Sequence, residues 1–314
     1  MIKKNTYTDV RDGFFDSVYL LAKKNKNIIF LTSDHTAFSL KKFEEDLPSQ
    51  YLNLGISEQS IMGVAAGLAQ KNKIVFVYGI APFMSLRCLE QINIDICSMK
   101  SNVNIISMGS GLTYSNDGPT HHGTQDQAIL SNLPNLNIFN VSDFKTSSSL
   151  PKIVKKNNFP KFFRIEKGRL NNLYISDSFF LKEGFGYFRK SKKNLIISTG
   201  IMTQTAFQVK EELKKHNIQI SIVDVIRVKP FNQKSISKII KKYNNIFTLE
   251  ENMPYGGLGS IISEIIATQY DKKNFLKISL PDKYLFDSGP RTWMHKKNKL
   301  DYKSISRKIL KHIK

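Results

Sequence analysis

The chain has 314 residues, 41% of them hydrophobic, and a formal charge of +21, enough apolar material for a large core shared between two domains. No apolar run approaches the roughly 20 residues of a membrane helix, and the opening MIKKNTYTDVRDG lacks the apolar stretch of a signal peptide, so a cytoplasmic protein without membrane association is expected. The lysines are scattered through surface-type stretches such as 23–26 and 192–193 with no nucleic-acid module beside them, which argues against nucleic-acid binding and for attraction of phosphorylated substrates or an acidic partner subunit.

The first predicted helix, 9–24, places Val10, Phe14, Val18 and Leu21 on one face. NIIFLTSD at 27–34 reads as a buried parallel strand. Its C-terminal end carries Asp34 and His35, at the edge where open α/β sheets place ligands; Asp34 is therefore a candidate cofactor contact and His35 a loop residue. Next comes LGISEQSIMGVAAG at 54–67. Gly55 turns the chain, Ser57 can cap, and Ile61, Ala65 and Leu68 recur at helical spacing, which fixes Glu58 on the first turn of a helix. An acid there complements the helix dipole and is also placed for chemistry. Gly63, Ala66 and Gly67 give that helix a face without bulk, open to another backbone or a flat ligand.

A strand at 74–78 follows, then a helix at 83–99 holding Cys88 and Cys97, whose helical separation of roughly 13 Å forbids their pairing. Both are expected to be buried thiols. The strand at 103–108 runs into GSGLTYSNDGPTHHG, too rich in glycine for regular structure and long enough to be functional. Helix 124–130, strand 136–140, helix 145–155 and strand 161–165 complete a first domain assigned to 1–172. Residues 173–193 read as a linker. The second domain, 194–314, continues with strand 194–200, helix 203–215, strand 218–224, helix 232–243, strand 245–249, helix 258–269, strand 275–280 and a basic amphipathic helix 302–314. This alternation predicts an α/β protein of two domains, each a mainly parallel sheet covered by helices. The glycines of LEENMPYGGLG, Gly256, Gly257 and Gly259, could cradle a phosphate before a helix, but without GxGxxG spacing they read better as a tight turn and subunit contact.

Three features belong together: GISEQ with Glu58, the aromatic strand and turn carrying Phe76, Tyr78 and Phe83, and DGPTH with Asp117 and His121. In this combination the chain resembles the C-terminal half of a transketolase, its pyrimidine-binding and C-terminal domains, and more distantly 1-deoxyxylulose-5-phosphate synthase. The resemblance implies thiamine diphosphate as cofactor, Glu58 as the glutamate that hydrogen-bonds the aminopyrimidine ring and promotes its reactive tautomer, and an aromatic pocket for that flat ring. Phe83 is the first candidate for stacking and Tyr78 the second; Phe76 shares the face of Tyr78, so both line the pocket or both are core. By the same resemblance Asp117 and His121 meet substrate hydroxyls and the reacting carbon, His121 also moving a proton, and Arg164 grips a sugar phosphate. His122 stands where a glutamine is common, and Gly109 where transketolases carry a further histidine.

The metal-binding GDG motif of the family occurs nowhere in the sequence. The resemblance therefore implies a two-chain enzyme: a separate transketolase N-terminal subunit holds the diphosphate through Mg²⁺ or Ca²⁺, and this chain holds no metal. The active site then lies between subunits, with two copies of each chain forming a heterotetramer through homodimerisation. The expected reaction is transfer of a two-carbon ketol unit from a ketose, phosphorylated or not, to an aldose. Alternatives are a deoxyxylulose phosphate synthase-like enzyme using pyruvate, a 2-oxo-acid dehydrogenase beta subunit, and a non-catalytic scaffold of the same fold.

Overall fold

A computed structural model describes residues 9–155, 158–270 and 272–313. The first eight residues of the expected first domain and Lys314 of the last expected helix lie outside them. Twelve strands run in chain order: β1 Ile28–Thr32, β2 Tyr51–Asn53, β3 Ile74–Ile80, β4 Val103–Met108, β5 Asn137–Asn140, β6 Lys161–Ile165, β7 Phe185–Phe188, β8 Asn194–Ser198, β9 Ser221–Val225, β10 Arg227–Lys229, β11 Asn245–Leu249 and β12 Asn274–Ile278. They form a seven-stranded sheet ordered β10-β5-β6-β4-β3-β1-β2 and a five-stranded sheet ordered β12-β11-β8-β9-β7. Only β10 against β5 and β7 against β9 run antiparallel.

β1, β4 and β6 are buried along their whole length, as strands are when helices cover both faces of a parallel sheet. The two faces of β3 show how the first domain is layered. Val75 and Val77 pack with Ile61, Met62 and Ala65 of helix Glu58–Gln70, whereas Phe76 and Tyr78 pack with Phe14 and Phe15 of helix Val10–Ala22. Alternation along a strand forces this separation.

Several expectations are corrected. The stretch assigned as a linker contains helix Ser178–Glu183 and β7, an edge strand of the second sheet. A Cβ on Gly186 would stand 2.0 Å from the Tyr174 hydroxyl oxygen, so close packing selects glycine within β7. The helix expected at 83–99 is delayed: turns occupy 81–88, a short helix spans Leu89–Gln91, and a wider π-helical segment runs over Ile92–Ser98. Cys88 and Cys97 are buried and unpaired, and burial pushes both thiols up to about 12. In the second domain Glu250 accepts hydrogen bonds from the Leu258 and Gly259 amides, each at 2.8 Å, so this carboxylate already fills the glycine-rich cradle at the start of helix Leu258–Gln269. A Cβ on Gly257 would come within 2.1 Å of its Oε2.

Asp224, fully buried at the end of β9, ties the two domains. It accepts from Ser142 at 2.5 Å, from Tyr174 at 2.7 Å and, through its other oxygen, from Thr203 at 2.7 Å. Burial pushes its carboxyl up to about 6 against the lowering effect of these hydroxyls. A carboxyl raised in the folded state contributes most where both states are protonated, below about pH 4, and loses that contribution as pH rises through about 6. Between those limits the wild type should lose about 3 kcal/mol relative to Asp224→Asn, a difference readable from urea unfolding across the pH range.

Candidate active site

Glu58 opens helix Glu58–Gln70. The Ser57 hydroxyl donates to the Leu54 carbonyl at 2.8 Å rather than capping the helix, which fixes the turn that delivers the glutamate. The carboxylate is 3% exposed. Arg87 Nη1 donates to its Oε2 at 2.7 Å, while Oε1 is buried and meets no hydrogen-bond partner among the described residues. A buried acceptor left open is costly in a folded protein, and one beside a cleft marks a place where a ligand donor belongs.

The turn after β3 brings Phe83 to this carboxylate. The Arg87 guanidinium lies over the Phe83 ring, 4.2 Å from its centre, and the His121 ring meets Phe83 edge to face at 5.2 Å. His121 ends the short 3₁₀ turn Pro119–His121, entered through Gly118 at φ 78°, and its Nδ1 lies 3.0 Å from the Thr120 hydroxyl. Asp117 stands exposed on the same loop. At the end of β1, Asp34 adopts φ 60° and is exposed, clasped by Asn53 through two hydrogen bonds of 3.0 and 3.1 Å. Glu58, Phe83 and His121 are thus brought together, with Asp117 on the His121 loop and Asp34 at the neighbouring strand end.

The sequence reading leaves His35 as a loop residue, but it belongs to this cluster. Burial lowers its basicity, while the carboxylates of Glu58 and Asp34 oppose that and His121 adds to it. The imidazole Nδ1 lies 3.1 Å from the Ser33 hydroxyl. Its position at a strand's C-terminal end is the one signal that points to it.

Three expected site residues are buried in the fold. Phe76 is fully buried under helix Val10–Ala22, on the opposite sheet face from the glutamate helix. Tyr78, 3% exposed, packs its ring against Phe15 at 4.8 Å in that core and meets the His35 ring edge to face at 6.0 Å, directly behind the cluster. Arg164 is 5% exposed and spends all five of its N–H donors internally: on both oxygens of Asp126, on Gln127 and Asn140 side-chain oxygens, and on the Gly123 carbonyl, at 2.9 to 3.2 Å. It has no donor left for a phosphate. His122 is also turned inward, buried, its Nε2 without a partner among the described residues, and burial lowers its basicity.

Behind the loop, the domain junction holds a charge cluster that the sequence does not advertise. Arg291, on helix Arg291–Lys297, bridges Glu166 at 2.6 Å and Glu251 at 3.0 Å, and Glu251 also accepts from His295 and from the Leu112 amide. Burial favours the neutral acid, but Arg291 and His295 override it and hold Glu251 far below the usual carboxylate range. A Cβ at Gly111 would meet Glu251 at 1.9 Å, so this glycine allows the loop to close on the cluster. Among the described residues no group of three or more His, Cys, Asp or Glu could hold a metal ion, and no helix is long and apolar enough to cross a membrane.

Residues 7–172 match the transketolase pyrimidine-binding domain and residues 187–305 the transketolase C-terminal domain. The chain is 32% identical over 265 residues to one subunit of the apulose-4-phosphate transketolase of Phocaeicola vulgatus, covering 84% of this chain and 85% of that one. It is 29% identical to a putative transketolase C-terminal section of Methanocaldococcus jannaschii, over 100% of this chain and 99% of the relative. Among solved structures, a split-gene transketolase described as an inactive beta4 tetramer superposes with a TM-score of 0.86 at 25% identity, over 98% of both chains. With two family domains in order and the Glu58, Phe83 and His121 cluster between strand ends of the first, the chain belongs to the transketolase family, as a C-terminal subunit of the two-chain kind.

Proposed function

We propose that this subunit supplies the pyrimidine half of a thiamine diphosphate site completed by a transketolase N-terminal subunit, and that the assembled enzyme moves a two-carbon ketol unit from a ketose to an aldose. The observation that carries the reading is the open, buried Oε1 of Glu58, on a carboxylate joined through Arg87 to the Phe83 ring, a pairing that fits a ring nitrogen sharing a proton and the flat face of an aminopyrimidine. When bound, the cofactor supplies a carbon nucleophile and a sink for the electrons of the cleaved bond. Glu58 would share a proton with a ring nitrogen at Oε1, Phe83 would orient the ring, and Asp34 would flank the ligand at the end of β1. His121 donates to the substrate's developing oxygen charge, and Asp117 accepts from sugar hydroxyls. His35, its basicity lowered by burial, adds a second imidazole to the wall.

In this reading Arg164 is a structural residue, and a phosphate on the substrate is gripped by groups other than its guanidinium. The partner chain holds the diphosphate through Mg²⁺ or Ca²⁺, and two copies of each chain make up the working assembly. The relative named as one subunit of a transketolase and the split-gene protein described as inactive in its beta4 form support dependence on a partner. Calorimetric titration of thiamine diphosphate with Mg²⁺ tests the shared site. Tight binding is expected for the mixed subunits and weak binding for each chain alone; equally tight binding to either isolated chain would contradict it.

A further inference from the structure

Arg87 sits on the same carboxylate and covers the same aromatic ring that the proposed cofactor ring would engage, holding Oε2 where the cofactor would take the open Oε1. Its guanidinium donates to Glu58 Oε2 at 2.7 Å and lies over the Phe83 ring, 4.2 Å from its centre. A guanidinium and an aminopyrimidine are both planar and offer a face for stacking, and the reactive imino tautomer of the aminopyrimidine presents a ring N–H in its plane as the guanidinium does. The protein therefore carries, on its own chain, a flat group on the same carboxylate and the same ring.

Building on the cofactor site proposed above, we infer that Arg87 is a further residue of that site, an internal stand-in for the aminopyrimidine that the cofactor must displace, and so a determinant of cofactor affinity. The energetics permit displacement. The Arg87 side chain is 43% exposed while Glu58 is 3% exposed, so the guanidinium can swing into water without crossing buried surface, its flexible stem doing the moving. The arginine half of the pair and the cation–π contact are half exposed and weakly held, so a ligand that itself satisfies the buried Glu58 can replace both. Until then Arg87 offsets the charge of a carboxylate that would otherwise stand buried with neither oxygen partnered.

An arginine that merely held Glu58 in position would give the opposite result on removal, which makes the sign of the effect decisive. In the complex with the N-terminal subunit, Arg87→Ala should lower the Kd for thiamine diphosphate in Mg²⁺ roughly tenfold. It should also lower the melting temperature without cofactor and enlarge the upward shift on adding it, because ligand stabilisation follows the affinity gained. Arg87→Lys, which keeps the charge and loses the flat fork, should fall between Arg87→Ala and wild type and guards against a folding defect in the alanine variant. Unchanged or weaker binding in both variants would overturn the proposal. Glu58→Gln, titrated alongside, separates the two layers. If it weakens cofactor binding while Arg87→Ala does not tighten it, only the stand-in role fails. If Glu58→Gln leaves binding unchanged, the cofactor reading of Glu58 fails and the stand-in falls with it.

Discussion

Glu58→Gln should leave the subunit folded and lower ketol transfer by the assembled enzyme by about 10²- to 10⁴-fold, the range spanned by positioned acid–base groups. Glutamine has the size of glutamate, and its carbonyl oxygen can still accept from Arg87, so the first turn of the helix and the surrounding Ile61, Met62 and Ala65 packing have no reason to move. What the substitution removes is the capacity to exchange a proton at the oxygen that has no other partner, Oε1. Turnover of the mixed subunits, with circular dichroism as a check on folding, measures the effect. Activity within about twofold of wild type would remove Glu58 from the mechanism, because a group lost from a transition state costs far more than that.

Arg291→Leu should cost about 3–5 kcal/mol of stability, the usual penalty for leaving buried charges without their partner. The arginine is the cation between Glu166, 1% exposed, and Glu251, 6% exposed, and it also donates to the Thr113 hydroxyl and the Ser110 carbonyl. Arg291→Lys should recover part of the loss, since a single ammonium cannot span two carboxylates as a planar fork does. The pH dependence has a fixed sign. Glu251 is held below its ordinary value, so its contribution is present above about pH 4.5 and lost as pH falls below that. Arg291→Leu should therefore unfold more easily at neutral pH and show a shallower acid slope than wild type. A urea-unfolding difference under about 1 kcal/mol at pH 7 would mean that the cluster contributes little to holding the domains together, as exposed ion pairs do.

Periodicity made most of the fold legible. β6 and β11 coincide with the strands expected at 161–165 and 245–249, and helix Leu258–Gln269 with the helix expected there, because short runs rich in β-branched and aromatic residues and a clear helical stripe leave little choice. Short elements stabilised by tertiary contact were not legible. β7 and β10 exist because an edge of each sheet accepts them, and neither FGYF nor RVK carries a pattern of its own. Within the candidate site, the placement of Glu58 on a first helical turn and of His121 in a turn-rich loop was legible because motif and turn chemistry fix both. Phe83 could be ranked above Phe76 and Tyr78 only by resemblance, since which sheet face a strand turns to the glutamate helix is decided by packing. Arg164 misled because an arginine at a strand end looks free until Asp126, Gln127 and Asn140 are placed around it. Arg87, Glu166 and Arg291 gave no signal because their partners are distant in sequence.

The account stands or falls on ketol transfer by the reconstituted pair. The chain and an N-terminal transketolase subunit, separately and mixed, would be supplied with thiamine diphosphate, Mg²⁺, an aldose acceptor and a panel of phosphorylated and unphosphorylated ketoses, with pyruvate as an alternative donor. Cofactor-dependent two-carbon transfer from a ketose in the mixture, and none from either chain alone, is the predicted result. A stable, cofactor-binding complex that uses pyruvate and no ketose, or full transfer activity from one chain alone, would contradict it.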